Sequence, residues 1–172
     1  MFSYEKFKST IKDKGVARNN RFNVNIALPP ALSSSYDTFS IMLLWTSVNL
    51  TGVNVASEAV KLFGESVEVP YDRNFAGVSF TFVVTTDMKE RKLFDDWIDF
   101  IQNPTSRTFT YMDEFKASEV KIEVLGLDDK SRYTITLYDA FPKTIGALSL
   151  SSEDNGAMTF NVDMDYRYYM TT

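Results

Sequence analysis

Three carboxylates, Asp95, Asp96 and Asp99, stand close together in the middle of the chain. Asp95 and Asp99 are four positions apart, so a helix would put them on one face, and paired carboxylates can move protons or hold a metal. Arg91 stands four before Asp95 and Lys92 four before Asp96, the spacing of surface ion pairs. Acid–base work needs carboxylates perturbed by burial or by a like charge in a cleft. A solvated helix face accounts for the cluster without any such device. Asp128 and Asp129, taken with Asp163 and Asp165, could be assembled into a metal site, but turn positions and a wet strand face account for them equally well.

Other chemistry is bounded by missing residue types. The 172 residues include no Cys and no His. Disulfides, thiolate zinc sites and thiol nucleophiles are therefore excluded, as are the imidazole base and the serine triad built on it. The seven glycines stand alone at turn-like places, so no phosphate-cradling loop is present. Trp45 and Trp97 suit a core better than a base-stacking platform. The expectation is a protein that is not an enzyme and has no cofactor and no metal. A net charge of −5 and a pI near 4.8 suit it poorly to gripping phosphate backbones, which takes Lys and Arg displacing counterions. No apolar signal core opens the chain and no apolar run reaches membrane-spanning length. One domain over residues 1–172 is expected, folding in a cytoplasm without a membrane anchor.

The elements that would position these residues are mostly strands. The clearest is the last. Met158, Phe160, Val162, Met164, Tyr166, Tyr168 and Met170 alternate with Thr159, Asn161, Asp163, Asp165, Arg167 and Tyr169. A period of two over such a length predicts a long strand with one buried and one wet face. Before it, Asp139 to Gly146 reads as a connection. Ser3 to Gly15 is an amphipathic helix with Tyr4, Phe7 and Ile11 on one face. Phe22, Val24 and Ile26 mark a first strand ended by Pro29-Pro30, with Ser33 to Ser35 as loop. Ser40 to Leu50 and Val78 to Thr85 are strands. Ser57 to Pro70 reads as a charged hairpin turning at Gly64-Glu65, with Val60 and Leu62 opposite Val67 and Val69. A second helix follows, with Asp87 and Glu90 at capping-box spacing, an apolar stripe of Leu93, Phe94, Trp97, Ile98 and Ile101, and a stop at Asn103-Pro104. Phe109 to Phe115, Glu119 to Leu125 and Arg132 to Tyr138 are further strands, the last two joined at Asp128-Asp129-Lys130.

Four stretches in series resemble the tail tube proteins of tailed phages, above all those with contractile tails. Ala17-Arg18, Asn20, Phe22, Val24 and Ile26 resemble the family's lead into its first strand. Asp72-Arg73-Asn74-Phe75 resembles the segment before its helix. Phe94-Asp95-Asp96-Trp97 with Ile98 and Ile101 is similar to that helix. Ala140-Phe141-Pro142-Lys143-Thr144-Ile145-Gly146, then Leu148, Leu150, Phe160, Val162 and Tyr168-Tyr169, is similar to the family's C-terminal signature. The resemblance implies a mainly β (α+β) subunit: an antiparallel β-barrel or sandwich with a packed α-helix, to which a short N-terminal helix is added. It implies six-membered rings stacked into a tube, related to bacterial contractile-injection tubes. A tail sheath and baseplate are expected as partners, with double-stranded DNA passing through without specific binding. The protein would be made in the host cytoplasm and incorporated into the virion tail.

Within that scheme Asn161, Asp163, Asp165 and Arg167 are expected to face the lumen. Lys61, Leu62, Phe63, Gly64, Glu65 and Glu68 are expected to form an inter-subunit hairpin. A baseplate, tube-initiating or tail-terminating relative is the alternative, and a monomeric β-barrel binding module is a further one.

Overall fold

A computed structural model describes residues 3–36, 44–50, 52–61, 63–148, 150 and 156–172. The N-terminal helix α1 (Tyr4–Lys14) is followed by β1 (Phe22–Ile26) and one helical turn, α2 (Pro30–Ser33). Next come β2 (Trp45–Asn49), β3 (Val53–Val60), β4 (Val67–Phe75) and β5 (Val78–Val83). Helix α3 (Lys89–Ile101) and a second short turn, α4 (Met112–Phe115), lead to β6 (Ala117–Leu125), β7 (Ser131–Ile145), β8 (Thr159–Asp165) and β9 (Tyr168–Thr171).

Every strand pairing among the described residues is antiparallel, and the main sheet runs β1-β6-β7-β8-β5-β2, with β9 also on β7. The architecture is mainly β with a packed helix, as expected. The 15-residue β7 is the joint. Its first part pairs with β6 from Ser131↔Leu125 to Ala140↔Ala117, and Phe141 to Ile145 pairs with β8. β9 lies on the other edge of the first part, from Ile135↔Thr171 to Tyr138↔Tyr168. Consequently β8 and β9 run one after the other along a single edge.

One core joins both halves of the sheet to α3. Alternation buries Val78, Phe80 and Phe82 of β5 and Phe160, Val162 and Met164 of β8. Helical spacing brings Leu93, Phe94 and Trp97 onto them. Phe82 lies 5.2 Å from Phe160 and 5.0 Å from Phe94, ring centre to ring centre. Trp97 has no exposed surface, and its indole Nε1 donates to the Phe115 carbonyl at 2.7 Å. Arg91 ties α3 to the end of β7, donating to the Gly146 carbonyl at 2.6 Å while lying over the Phe160 ring.

Several sequence expectations are corrected. Asp87 does not cap α3. Met88 precedes the helix in the left-handed region (φ 53°), and Asp87 instead pairs with Lys89. The buried Glu90 reaches further back, accepting from the Thr85 amide at 3.2 Å and the Thr85 hydroxyl at 2.9 Å. Phe109 to Phe115 is not a strand: it makes one bridge, Gln102↔Phe109, and then the turn α4. Aromatic residues favour strands only where a neighbouring strand completes the ladder. Asp139 to Gly146 is not a connection, because β7 continues to Ile145. Pro142 sits at an irregular step between Pro142 and Thr144, the kind of place where a sheet tolerates proline. Ser33 belongs to α2, which Pro30 starts at the position where a missing N–H is harmless. The part of the expected strand from 40 to 43 lies outside the described residues.

Replacing Trp97 by Ala removes the largest fully buried side chain and should destabilise the protein by about 3–5 kcal/mol. Asp95→Asn, at an exposed carboxylate whose partner Arg91 is also held by the Gly146 carbonyl, should change stability by no more than about 0.5 kcal/mol. Urea denaturation of the two variants measures both.

Candidate functional site

The outward face of the main sheet is polar across its width. On β8 Asn161 and Asp163 point away from the core, between the buried Phe160, Val162 and Met164. The Thr81 hydroxyl of β5 donates to Asn161 Oδ1 at 3.0 Å. Asp163 lies opposite Ser79 on one side and Thr144 on the other, and it makes no ion pair among the described residues. Asp165 accepts from Lys143 at 3.1 Å. The face continues through Thr134 and Thr136 of β7, Lys121 and Glu123 of β6, and Asn23 and Asn25 of β1. Lys121 is paired with Glu119 at 2.9 Å. That hydrogen bond, and then the charge of the same carboxylate, hold the Lys121 ammonium above the usual lysine range.

Asp139 organises this face, and no sequence pattern marked it. Its backbone is left-handed (φ 56°), a region that Asp tolerates better than most residues. Its half-buried carboxylate accepts from Lys116 at 3.0 Å and faces Arg167 at 3.7 Å. Around it the buried positions change parity. Leu137 and Ala140 are both buried although three apart, as are Val120 and Ala117 opposite them, and alongside them the partly buried Tyr169 packs on the core three residues after the buried Tyr166. A regular strand cannot bury two residues three apart on one face. The three strands therefore twist over together at the row that holds Asp139 and Arg167. This corrects the alternation expected for the last strand. It holds up to Tyr166 and then reverses. Tyr169 packs on Phe75 and Tyr166, Tyr168 stacks on Tyr138 at 4.8 Å, and Met170 is exposed.

The second candidate surface is the β3–β4 ribbon, a separate two-stranded sheet paired from Val53↔Phe75 to Val60↔Val67. It is longer than the expected Ser57 to Pro70. Pro70 sits at a bulge that leaves Tyr71 unpaired, so it does not end the strand. At the tip Gly64 has a left-handed φ of 85°, Lys61 and Glu65 are exposed, and Phe63 is 98% exposed. Glu68 accepts from the Ser57 hydroxyl. Leu62 lies outside the described residues, while Val60 does face Val67.

The carboxylates that suggested chemistry are dispersed. Asp95 pairs with Arg91 at 3.1 Å, and Asp99 is exposed. Asp96 accepts from the Tyr36 hydroxyl rather than pairing with Lys92. Burial, and then the Asp96 carboxylate, push that phenol up to about 12. Asp128 and Asp129 sit on the β6–β7 turn, paired with Arg132 and Arg21. No group of three or more potential ligands gathers as a metal site among the described residues.

Residues 17–172 match the model of a family described as phage tail tube protein. The chain belongs to that family. It is thus a structural component of a phage tail, a subunit of the tail tube. Comparison with curated protein sequences finds no significant match. Among solved structures, the fold is similar to a chain of an extracellular contractile injection system, the PVC sheath–tube complex in its extended state. That pair has a TM-score of 0.68 and 14% identity, over 100% of this chain and 99% of the other. It is also similar to the tube-terminating cap of the anti-feeding prophage (TM-score 0.69, 14% identity, 91% of each chain). A chain of the anti-feeding prophage baseplate, 6-fold symmetrised, is a third (TM-score 0.65, 15% identity, 91% and 95%).

If Asp139 holds the twist, Asp139→Ala should destabilise this tube protein by about 1–3 kcal/mol, since Ala is strained at this φ and frees Lys116 and Arg167. Asp139→Gly relieves the backbone but not the charges, and should lose less. Denaturation curves for the two variants, compared with wild type, test the order.

Proposed function

We propose that copies of this chain, six to a ring, stack into the tail tube with the polar sheet face as the wall of the bore. Asn161, Asp163, Asp165 and Arg167 then face the lumen, and the genome passes along them. The observation that carries this reading is the state of the cations on that face. Lys121, Lys143 and Arg167 each lie beside an acid of the same subunit: Glu119, Asp165 and Asp139. Binding to a phosphate backbone draws on cations that are free to replace counterions. Here they are already engaged, and Asp163 adds a charge that repels phosphate. Such a wall lets double-stranded DNA slide.

The ribbon would reach a neighbouring subunit. A two-stranded ribbon is marginal in water alone, and this one leaves Val55, Val60, Val67, Val69 and Tyr71 exposed. A contractile tail, with sheath and baseplate as partners, is supported by the likeness to chains of a sheath–tube complex and a baseplate. The host cytoplasm is where the subunit would be made. No catalytic step is assigned to any residue. The likeness to a tube-terminating cap favours a second reading, a subunit that ends the tube; rings that form but never stack would distinguish it.

Replacing Asp163 and Asp165 together by Lys should leave rings and tubes intact, because neither side chain is part of the core, but slow genome delivery. Delivery at the normal rate would remove the bore assignment. Deleting residues 61–68 should leave a folded protein by circular dichroism that forms no long tubes in negative-stain images. Normal tubes from that deletion would rule out the ribbon contact.

A further inference from the structure

Among the described residues, helix α1 contributes none to the core, and the β3–β4 ribbon contributes only Phe75 at its base. Both carry apolar surface in water. Tyr4 is 70% exposed, and Phe7 and Ile11 on the same helical stripe are exposed too. A helix of 11 residues is below the length at which isolated helices hold (roughly 12–15 residues), so packing must sustain it. Four lysines and two acids give α1 a net charge of +2. Lys8 falls four after Tyr4 and three before Ile11, beside the stripe, with Lys12 one turn on.

The ribbon offers the complement. Its register puts Val60, Val67 and Val69 on one face together with Glu58 and Asp72. These valines are exposed, and neither acid has an ion pair among the described residues. The cation Arg73 is on the opposite face, over the rings of Phe75 and Tyr169. One surface is an apolar stripe edged with lysine, the other an apolar strip edged with carboxylate. Within one subunit they leave the body at different places. Gly15, at the end of α1, lies against Leu127 in the β6–β7 turn. The ribbon base packs on Tyr166 and Tyr169, and Tyr169 is opposite Leu137. From Ser131, beside the turn, to Leu137 is roughly 20 Å along β7.

We propose that α1 of one subunit docks on the valine face of the β3–β4 ribbon of a second copy of this chain. The inference rests on the reading of the chain as an assembling subunit and specifies what the ribbon meets. Two different surfaces of one molecule join, so the contact is heterologous and propagates around a ring or between rings.

The chain has no Cys, so an Ile11→Cys, Val69→Cys double variant reports the contact directly. Mild oxidation of its assembled tubes should give a disulfide ladder extending beyond the dimer on a denaturing gel, and neither single variant should exceed a dimer. Tubes without a ladder, or a disulfide closed within one chain, would overturn the docking while leaving tube assembly standing. Failure of the unsubstituted chain to form tubes would overturn both. Charge reversal gives a second readout. Glu58→Lys with Asp72→Lys should raise the concentration needed for assembly by roughly tenfold or more, because like charges then oppose each other. Adding Lys8→Glu and Lys12→Glu should restore it. No restoration in a variant folded by circular dichroism would overturn the docking.

Discussion

The structure depends on a single backbone constraint, the left-handed turn of Asp139 inside β7. A strand that alternates regularly can serve only one flat face. By inverting parity at one residue, β7 serves β6 and β9 along one half and β8 along the other, and both halves still bury their apolar side chains in the same core. The change is shared by β6 and by the β8–β9 edge, so it acts as a crease across three strands. Lys116 and Arg167 hold the Asp139 carboxylate in that crease. The left-handed residue and its ion pairs lie on the wet side of the sheet.

From that crease follow the two surfaces on which the proposed function rests. The outward face on either side of it is a mosaic of Thr, Asn and charged side chains, with Lys121, Lys143 and Arg167 each beside an acid of the same subunit. The elements outside the core, α1 and the ribbon, keep apolar side chains such as Tyr4, Ile11, Val67 and Val69 exposed. A fold with a polar sheet face and two arms outside the core suits a part made to be repeated. It agrees with membership of the tail tube family, which the match over residues 17–172 establishes.

Much of this was legible in the chain. Phe22, Val24 and Ile26, the stripe of Leu93, Phe94 and Trp97, and the alternation from Phe160 to Tyr166 each report the face they bury, because burial is what set their spacing. The polar positions Asn161 and Asp163 followed from the same period. What was hidden lay where backbone geometry overrides pattern. An Asp in the left-handed region looks like any loop aspartate, so β7 seemed to stop at Asp139 and the parity change at Tyr169 went unseen. Pro70 read as a strand end and Pro142 as part of a connection, although each sits in a strand at a bulge or irregular step. Glu90 looked like half of a capping box with Asp87, but the turn ahead of α3 carried it back to Thr85. The pairing of Asp96 with Tyr36 is a contact between distant parts of the chain, which local spacing does not encode.

The central claim is that the face bearing Asp163 lines a bore. A cryo-electron-microscopy reconstruction of tubes grown from the purified chain tests it most directly. The account predicts stacked six-membered rings with Asn161 and Asp163 on the inner wall and the β3–β4 ribbon in contact with a neighbouring subunit. Tubes or rings with Asp163 on the outer surface would contradict it.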